Sequence, residues 1–175
     1  MENIIVCGDE SLTKTIVNAC AKNGGAFVMD NGRIYETREN PKYCMIAWDG
    51  LTEISCKGIL ILGKKLHENI RVSDMTVIVD GDDTKGLRFL EGKHGMNVIT
   101  CSVNSRATVS ISGMDGTKKL ICIQRSIQRL NGDTAEPYEF YVVPETETEM
   151  EIYALLAAGA VLALTGDENC DEYGI

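Results

Sequence analysis

Short, almost unbroken apolar runs recur along this chain, and they limit what it can fold into. They read NIIVC at 3–7, YCMIAW at 43–48, GILILG at 58–63, MTVIVD at 75–80 and NVITCS at 97–102. Runs of this length, bounded by glycine or acidic turn residues, are the mark of buried strands. Between them lie helical patterns. From Ser11 to Asn23, Leu12, Ile16, Val17, Ala19 and Cys20 recur at helical spacing, and Gly24-Gly25 ends the helix. A shorter helix is expected at 84–92. Strands alternating with helices predict an α/β domain: a mainly parallel sheet with helices on both faces.

Two stretches depart from that alternation. Residues 26–36, AFVMDNGRIYE, carry Asn31-Gly32 between apolar arms, a strong signal for a type I′ hairpin. Residues 106–113, 118–125, 126–130 and 138–143 look like further strands joined by Gly, Asn and Asp turns, which predicts a small antiparallel sheet beside the parallel one. A last helix is expected at about 148–165, with Thr148 and Glu151 as a capping box and Glu147 and Glu149 near its positive end. The polar ending GDENCDEYGI reads as a loose tail. The expected organisation is one domain over 1–166 and a tail over 167–175.

Composition narrows the function classes. The formal net charge of −9 argues against a nucleic acid partner, which requires a basic surface. The longest nearly continuous apolar stretch, Ile152 to Leu164, falls short of the roughly 20 residues of a membrane span, so it reads as a buried helix. The start lacks the basic and apolar regions of a signal peptide. Seven cysteines, with no C-x-x-C pair and with His67 and His94 far from any of them, suit reduced thiols rather than disulfides or zinc. These features together predict a cytoplasmic protein.

Two segments carry residue types that bind phosphate or metal. In VCGDESLTKT (6–15), Gly8, Lys14 and Thr15 stand at the spacing of a phosphate-binding loop, with Thr13 in place of its second glycine. Gly8, Asp9, Glu10, Ser11, Thr13, Lys14 and Thr15 are therefore the candidate nucleotide contacts. Asp9 and Glu10 place negative charge where phosphate would lie, and the plainer reading is a strand-to-helix turn whose acids complement the helix dipole. In VIVDGDD (77–83), Asp80, Asp82 and Asp83 are a candidate set for a hard divalent cation, or else a solvated turn and helix cap. Among weaker signals, Trp48 reads as core, and Lys118, Lys119, Arg125 and Arg129 as one basic edge or a solvated sheet face.

These segments resemble the central ATPase domain of the Mur ligases in order and content. V-C-G-D-E-S-L-T-K aligns without gaps to that family's V-T-G-T-N-G-K-T-T at Val6, Gly8 and Thr13, which places Leu12 on the catalytic lysine and Ser11 on the last glycine. V-I-V-D-G-D-D, a helix and V-I-T-C-S follow the order of the family's N-A-D-D strand, helix and VITFG-like strand, and RATVSISGMD resembles its A-D-V-R-A-S-N-I stretch. E-M-E-I-Y-A-L-L-A-A is similar to its P-G-x-H-N-V-x-N-A-L-A-A helix, with Glu149, Met150 and Tyr153 at the histidine and asparagine positions near adenine. The family's long magnesium-binding excursion is replaced here by KKLHENIRVSD, with Asp49 a weak stand-in for its glutamate. The resemblance implies the Mur ligase central fold without the flanking substrate domains. It implies a non-catalytic relative, a binding or regulatory protein linked to cell-wall precursor synthesis, with ATP and magnesium disfavoured as cofactors. The competing expectations are a residual nucleotide-binding protein or ATP-dependent ligase-like enzyme, and a purely structural subunit. Surface left bare by the missing domains predicts a protein partner or a homodimer, through Phe27, Met29, Ile34 and Tyr35 or through Tyr138, Phe140 and Tyr141.

Overall fold

A computed structural model describes residues 1–48, 50–64, 66, 70–144, 151–166 and 170–175. The Thr148 capping box, Asp49 and His67 lie outside the described residues. The apolar runs form strands β1 (Glu2–Cys7), β4 (Tyr43–Ala47), β5 (Glu53–Leu62), β6 (Arg71–Asp80) and β7 (Asn97–Cys101). The hairpin gives β2 (Ala26–Asp30) and β3 (Arg33–Glu36), and the later strands are β8 (Val109–Asp115), β9 (Lys118–Ile123) and β12 (Tyr138–Val143). Among the described residues eleven strands join in one sheet, ordered β13-β12-β9-β8-β7-β6-β5-β1-β4-β2-β3, where β13 is Glu172–Gly174. Pairing is parallel from β2 through β8 and antiparallel for β8–β9, β9–β12 and the β2–β3 hairpin. Strands β8, β9 and β12 thus extend the main sheet, while the small antiparallel sheet beside it is built from two other segments. A separate antiparallel pair joins β10 (Ile127–Gln128) to β11 (Thr134–Ala135).

Among the described residues three helices cover this sheet: α1 (Glu10–Lys22), α2 (Thr84–Leu90) and α3 (Ile152–Thr165). The central strands alternate buried side chains between two apolar clusters, one on each face. On the first face, Ile4, Val6, Ile59, Ile61, Ile78 and Val109 meet α1 and α3. On the second, Ile5, Leu60, Val77 and Val79 meet Phe89 of α2, with Leu66 and Ile70 from the β5–β6 connection. Helix α3 is apolar all round and is buried from Ala154 to Thr165, which requires neighbours on every side. The sheet lies beneath it and α1 beside it, while Ile127 and Ala135 of the small sheet join the same cluster. Gly159 allows the close approach to β9, since a Cβ there would come within 3.2 Å of Ile121. No helix among the described residues is long and apolar enough to cross a membrane.

Asn31 and Gly32 take positive φ, 40° and 92°, as the type I′ turn requires. The loose tail does not hold for residues 170–175. There β13 pairs parallel with β12, Tyr173 and Ile175 are buried, and Tyr173 meets Phe140 edge-on at 5.3 Å. Backbone pairing and one aromatic contact fix a segment that has no apolar periodicity. The end of α1 holds it from the other side, Lys22 Nζ donating to the Ile175 carbonyl and Asn23 Nδ2 to that of Gly174, each at 2.8 Å. Trp48 is exposed at the end of β4 and is not core. The basic edge also dissolves: Lys118 pairs with Glu172, Arg125 donates to the Arg106 carbonyl, and Arg129 is buried with Nη1 donating to the Gly166 carbonyl.

Candidate functional site

Beyond the carboxyl ends of β1, β5 and β6 lies a cleft of about 400 Å³. It forms where the chain, having built β2 and β4 on one side of β1, crosses to build β5 and β6 on the other. Such a switch point is the usual ligand crevice of an open α/β sheet. The N-terminal ends of α1, α2 and α3 all face it, through Asp9, Lys85 and Glu151.

The chain's own carboxylates take up N–H groups at α1, α2 and the β6–α2 turn, whereas the Glu151 side chain makes no such cap at α3. Asp9 is the N-cap of α1, its Oδ1 accepting from the Leu12 N–H at 3.0 Å. Asp83 caps α2, accepting from Lys85 N at 2.9 Å and Gly86 N at 3.2 Å. Asp80 accepts from Asp82 N at 2.9 Å, and Asp82 accepts from the Ser102 hydroxyl at 2.7 Å. Beneath them Leu12 is 3% exposed. Its side chain fills the space over two glycines: a Cβ on Gly8 would lie 2.5 Å from Leu12 Cδ2, and one on Gly63 2.7 Å from the same atom.

The cleft is acidic. Asp9, Asp80, Asp82, Asp83 and Glu151 face two lysines, Lys64 and Lys85. Lys64 bridges its mouth, 2.7 Å from Glu151 and 3.7 Å from Asp9, and the Glu151 carboxylate is the main cause of its raised pKa. Burial pushes the Asp80 carboxyl up, the Asp82 N–H opposes this, and the charges of Asp82, Asp83 and Glu151 add to it. Tyr153 closes the floor. Its hydroxyl donates to the Leu62 carbonyl at 2.5 Å with the Ile78 carbonyl at 3.4 Å, and burial raises its pKa well above the phenol range.

The residues singled out in the sequence are thereby divided. Asp9 lines the cleft and Gly8 forms the turn behind it. Glu10, Thr13 and Lys14 instead line a second groove between α1 and the β2–β3 hairpin. Ser11 accepts at its carbonyl from the Thr15 hydroxyl at 3.0 Å, an intrahelical contact. Lys14 therefore does not share the cleft with Leu12. Asp80, Asp82 and Asp83 all border the cleft, but no group of three His, Cys, Asp or Glu side chains fit to hold a metal occurs among the described residues. Lys64 and Lys85 escaped the sequence reading, and Glu151 entered it only as a helix-capping residue. Their one signal was position: the lysines directly follow β5 and open α2, where side chains must border the crevice. Of the apolar surface candidates, Phe140 is core, Tyr138 and Tyr141 are half-buried, and Ile34 and Tyr35 stand exposed.

The long, mainly parallel sheet with helices on both faces is an α/β fold similar to that of a Mur ligase domain. Among solved structures it is similar to the crystal structure of UDP-N-acetylmuramate:L-alanyl-γ-D-glutamyl-meso-diaminopimelate ligase from Neisseria meningitides, with a TM-score of 0.58. Identity is 9%, and the match covers 97% of this chain and 63% of that one. The likeness is one of fold. The sequence matches no protein-family model and no curated protein.

Proposed function

We propose that this chain is a non-catalytic Mur ligase-like domain that works as a binding or regulatory protein, linked through its fold relatives to cell-wall precursor synthesis. One observation carries the reading: the Asp9 carboxylate occupies the Leu12 N–H at the start of α1, over a buried Leu12 side chain. A phosphate-binding helix terminus needs free N–H groups and a nearby cation. Here an internal anion takes the N–H, and leucine stands at the position that the resemblance gives to the catalytic lysine. The surrounding carboxylates repel a triphosphate further. What remains is a rigid α/β scaffold whose surface does the work.

Titration calorimetry with ATP and magnesium, paired with a phosphate-release assay, tests this. The expected result is a Kd weaker than about 1 mM and no hydrolysis above background. Micromolar binding or turnover would instead establish a residual nucleotide-binding protein or ligase-like enzyme.

A further inference from the structure

We infer that the β3 edge joins a second copy of this chain, antiparallel across a two-fold axis, with Ile34 opposite Ile34. The inference rests on the reading of the chain as a protein-binding domain and names its partner.

Strand β3 is the last strand at its end of the sheet, and all four of its residues are exposed. Its pairing with β2 fixes which backbone groups remain open. The Asn31-Gly32 turn makes Asp30 and Arg33 the closing hydrogen-bonded pair. Thr37 N donates to the Ala26 carbonyl at 2.9 Å, which sets the same phase at the far end. By alternation Tyr35 also faces β2, so Ile34 and Glu36 aim their N–H and C=O groups outward. These are the groups that an added strand takes up. No proline or bulge blunts the edge, and Ile34, the residue at its centre, is 65% exposed.

Charge complementarity selects the occupant. An axis perpendicular to the sheet keeps each face continuous, so outward residues must pair with outward residues. With Ile34 on Ile34, the Arg33 of each copy lies directly opposite Tyr35 of the other. Tyr35 sits across from the buried Val28, hence on the α1 face, and lines a groove of about 410 Å³ with Glu10 and Asp30. The incoming guanidinium thus rests against an aromatic ring, 41% exposed, at the mouth of a groove where the two carboxylates of Glu10 and Asp30 outnumber the one lysine, Lys14. In this protomer Arg33 makes no ion pair or side-chain hydrogen bond among the described residues. The alternative register, Ile34 opposite Glu36, would bury isoleucine against a carboxylate and place Arg33 on Thr37. On the other face the two Ile34 side chains extend a strip that runs through the half-buried Met29 and Ile46.

Sedimentation equilibrium of the purified chain tests the pairing. The expected mass is twice 19.2 kDa. Ile34→Lys should raise the dimer Kd by more than about thirtyfold, the scale of an interface hot spot, with an unchanged far-ultraviolet spectrum. Arg33→Glu should weaken the dimer, and Arg33→Glu with Glu10→Lys should recover part of the loss. A wild-type monomer at about 1 mM, or an Ile34→Lys dimer of wild-type strength, overturns the proposal. Either failure leaves the nucleotide titration standing, and micromolar ATP binding would leave the dimer measurement standing.

Discussion

Leu12 lies over Gly63 so closely that a Cβ added to the glycine would come within 2.7 Å of Leu12 Cδ2, 2.9 Å of Gly8 Cα and 3.0 Å of the Cys7 carbonyl oxygen. The crevice floor is therefore a three-part contact between leucine and two bare backbones. Gly63→Ala pushes against backbone atoms that cannot turn aside, and should cost about 1–3 kcal/mol. Leu12→Ala should cost about 2–5 kcal/mol by leaving a cavity. Urea unfolding measures both, and a loss below about 0.5 kcal/mol in either would show that the floor is loosely packed.

Asp9 is the cap and also the internal anion. Asp9→Ala should cost about 1 kcal/mol through the lost cap. It also frees the Leu12 N–H and removes one negative charge from the crevice. Phosphate or sulfate should then raise the melting midpoint of the variant more than that of the wild type. An equal response in both proteins would mean that Asp9 does not guard the site.

The raised pKa of Asp80 gives a pH dependence of defined sign. The native state takes up this proton at a higher pH than the unfolded chain does. Stability from Asp80 therefore falls as pH rises from the unfolded value, about 3.9, through the native one, and the loss is complete above it. Asp80→Asn keeps an oxygen for the Asp82 N–H and removes the charge. It should raise the melting midpoint at pH 7 by on the order of 1 °C, since solvent screens this partly exposed group. The gain should vanish towards pH 3, and a gain that grows on acidification would reverse the assignment.

The cysteines should separate by environment. Burial pushes the Cys20 thiol up to about 12 and raises the Cys101 thiol as well. Thiolate is the reactive form, so both should resist iodoacetamide at pH 8 while the chain is folded. Cys44, Cys56, Cys122 and Cys170 are all half-buried and should label before them. Peptide mass mapping reads this directly, and early modification of Cys20 or Cys101 would indicate local opening of α1 or β7.

Much of the sheet was legible because its strands are apolar on both faces. NIIVC or GILILG has no other stable place in a chain of this size. The hairpin was legible because Asn31-Gly32 meets a backbone demand that few other pairs meet. The destination of β8, β9 and β12 was not, since a hairpin has the same local pattern whether it extends a sheet or starts another. Nor was β13: Glu172, Tyr173 and Gly174 gain their order from β12 and α1, far away in sequence. The crevice was half legible. Asp9 and the Asp80–Asp83 turn stand out beside strand ends, whereas Lys64 and Glu151 meet only once the sheet is assembled. Trp48 was misplaced because composition assigns a tryptophan to the interior by habit, and its position at a strand end outweighs that habit.

The hold of α1 on β13 has a kinetic consequence. Lys22 and Ile175 are 153 positions apart, and Asn23 and Gly174 are 151 apart. Closing so long a loop carries an entropic cost before any contact repays it, and chains rich in such contacts fold slowly. The first βα unit can form early from its own neighbours, but its final closure waits for the end of the chain. Exchange of the β13 amides with heavy water during refolding should therefore stay open after β1, β5 and β6 are protected, making this strand the last to lock.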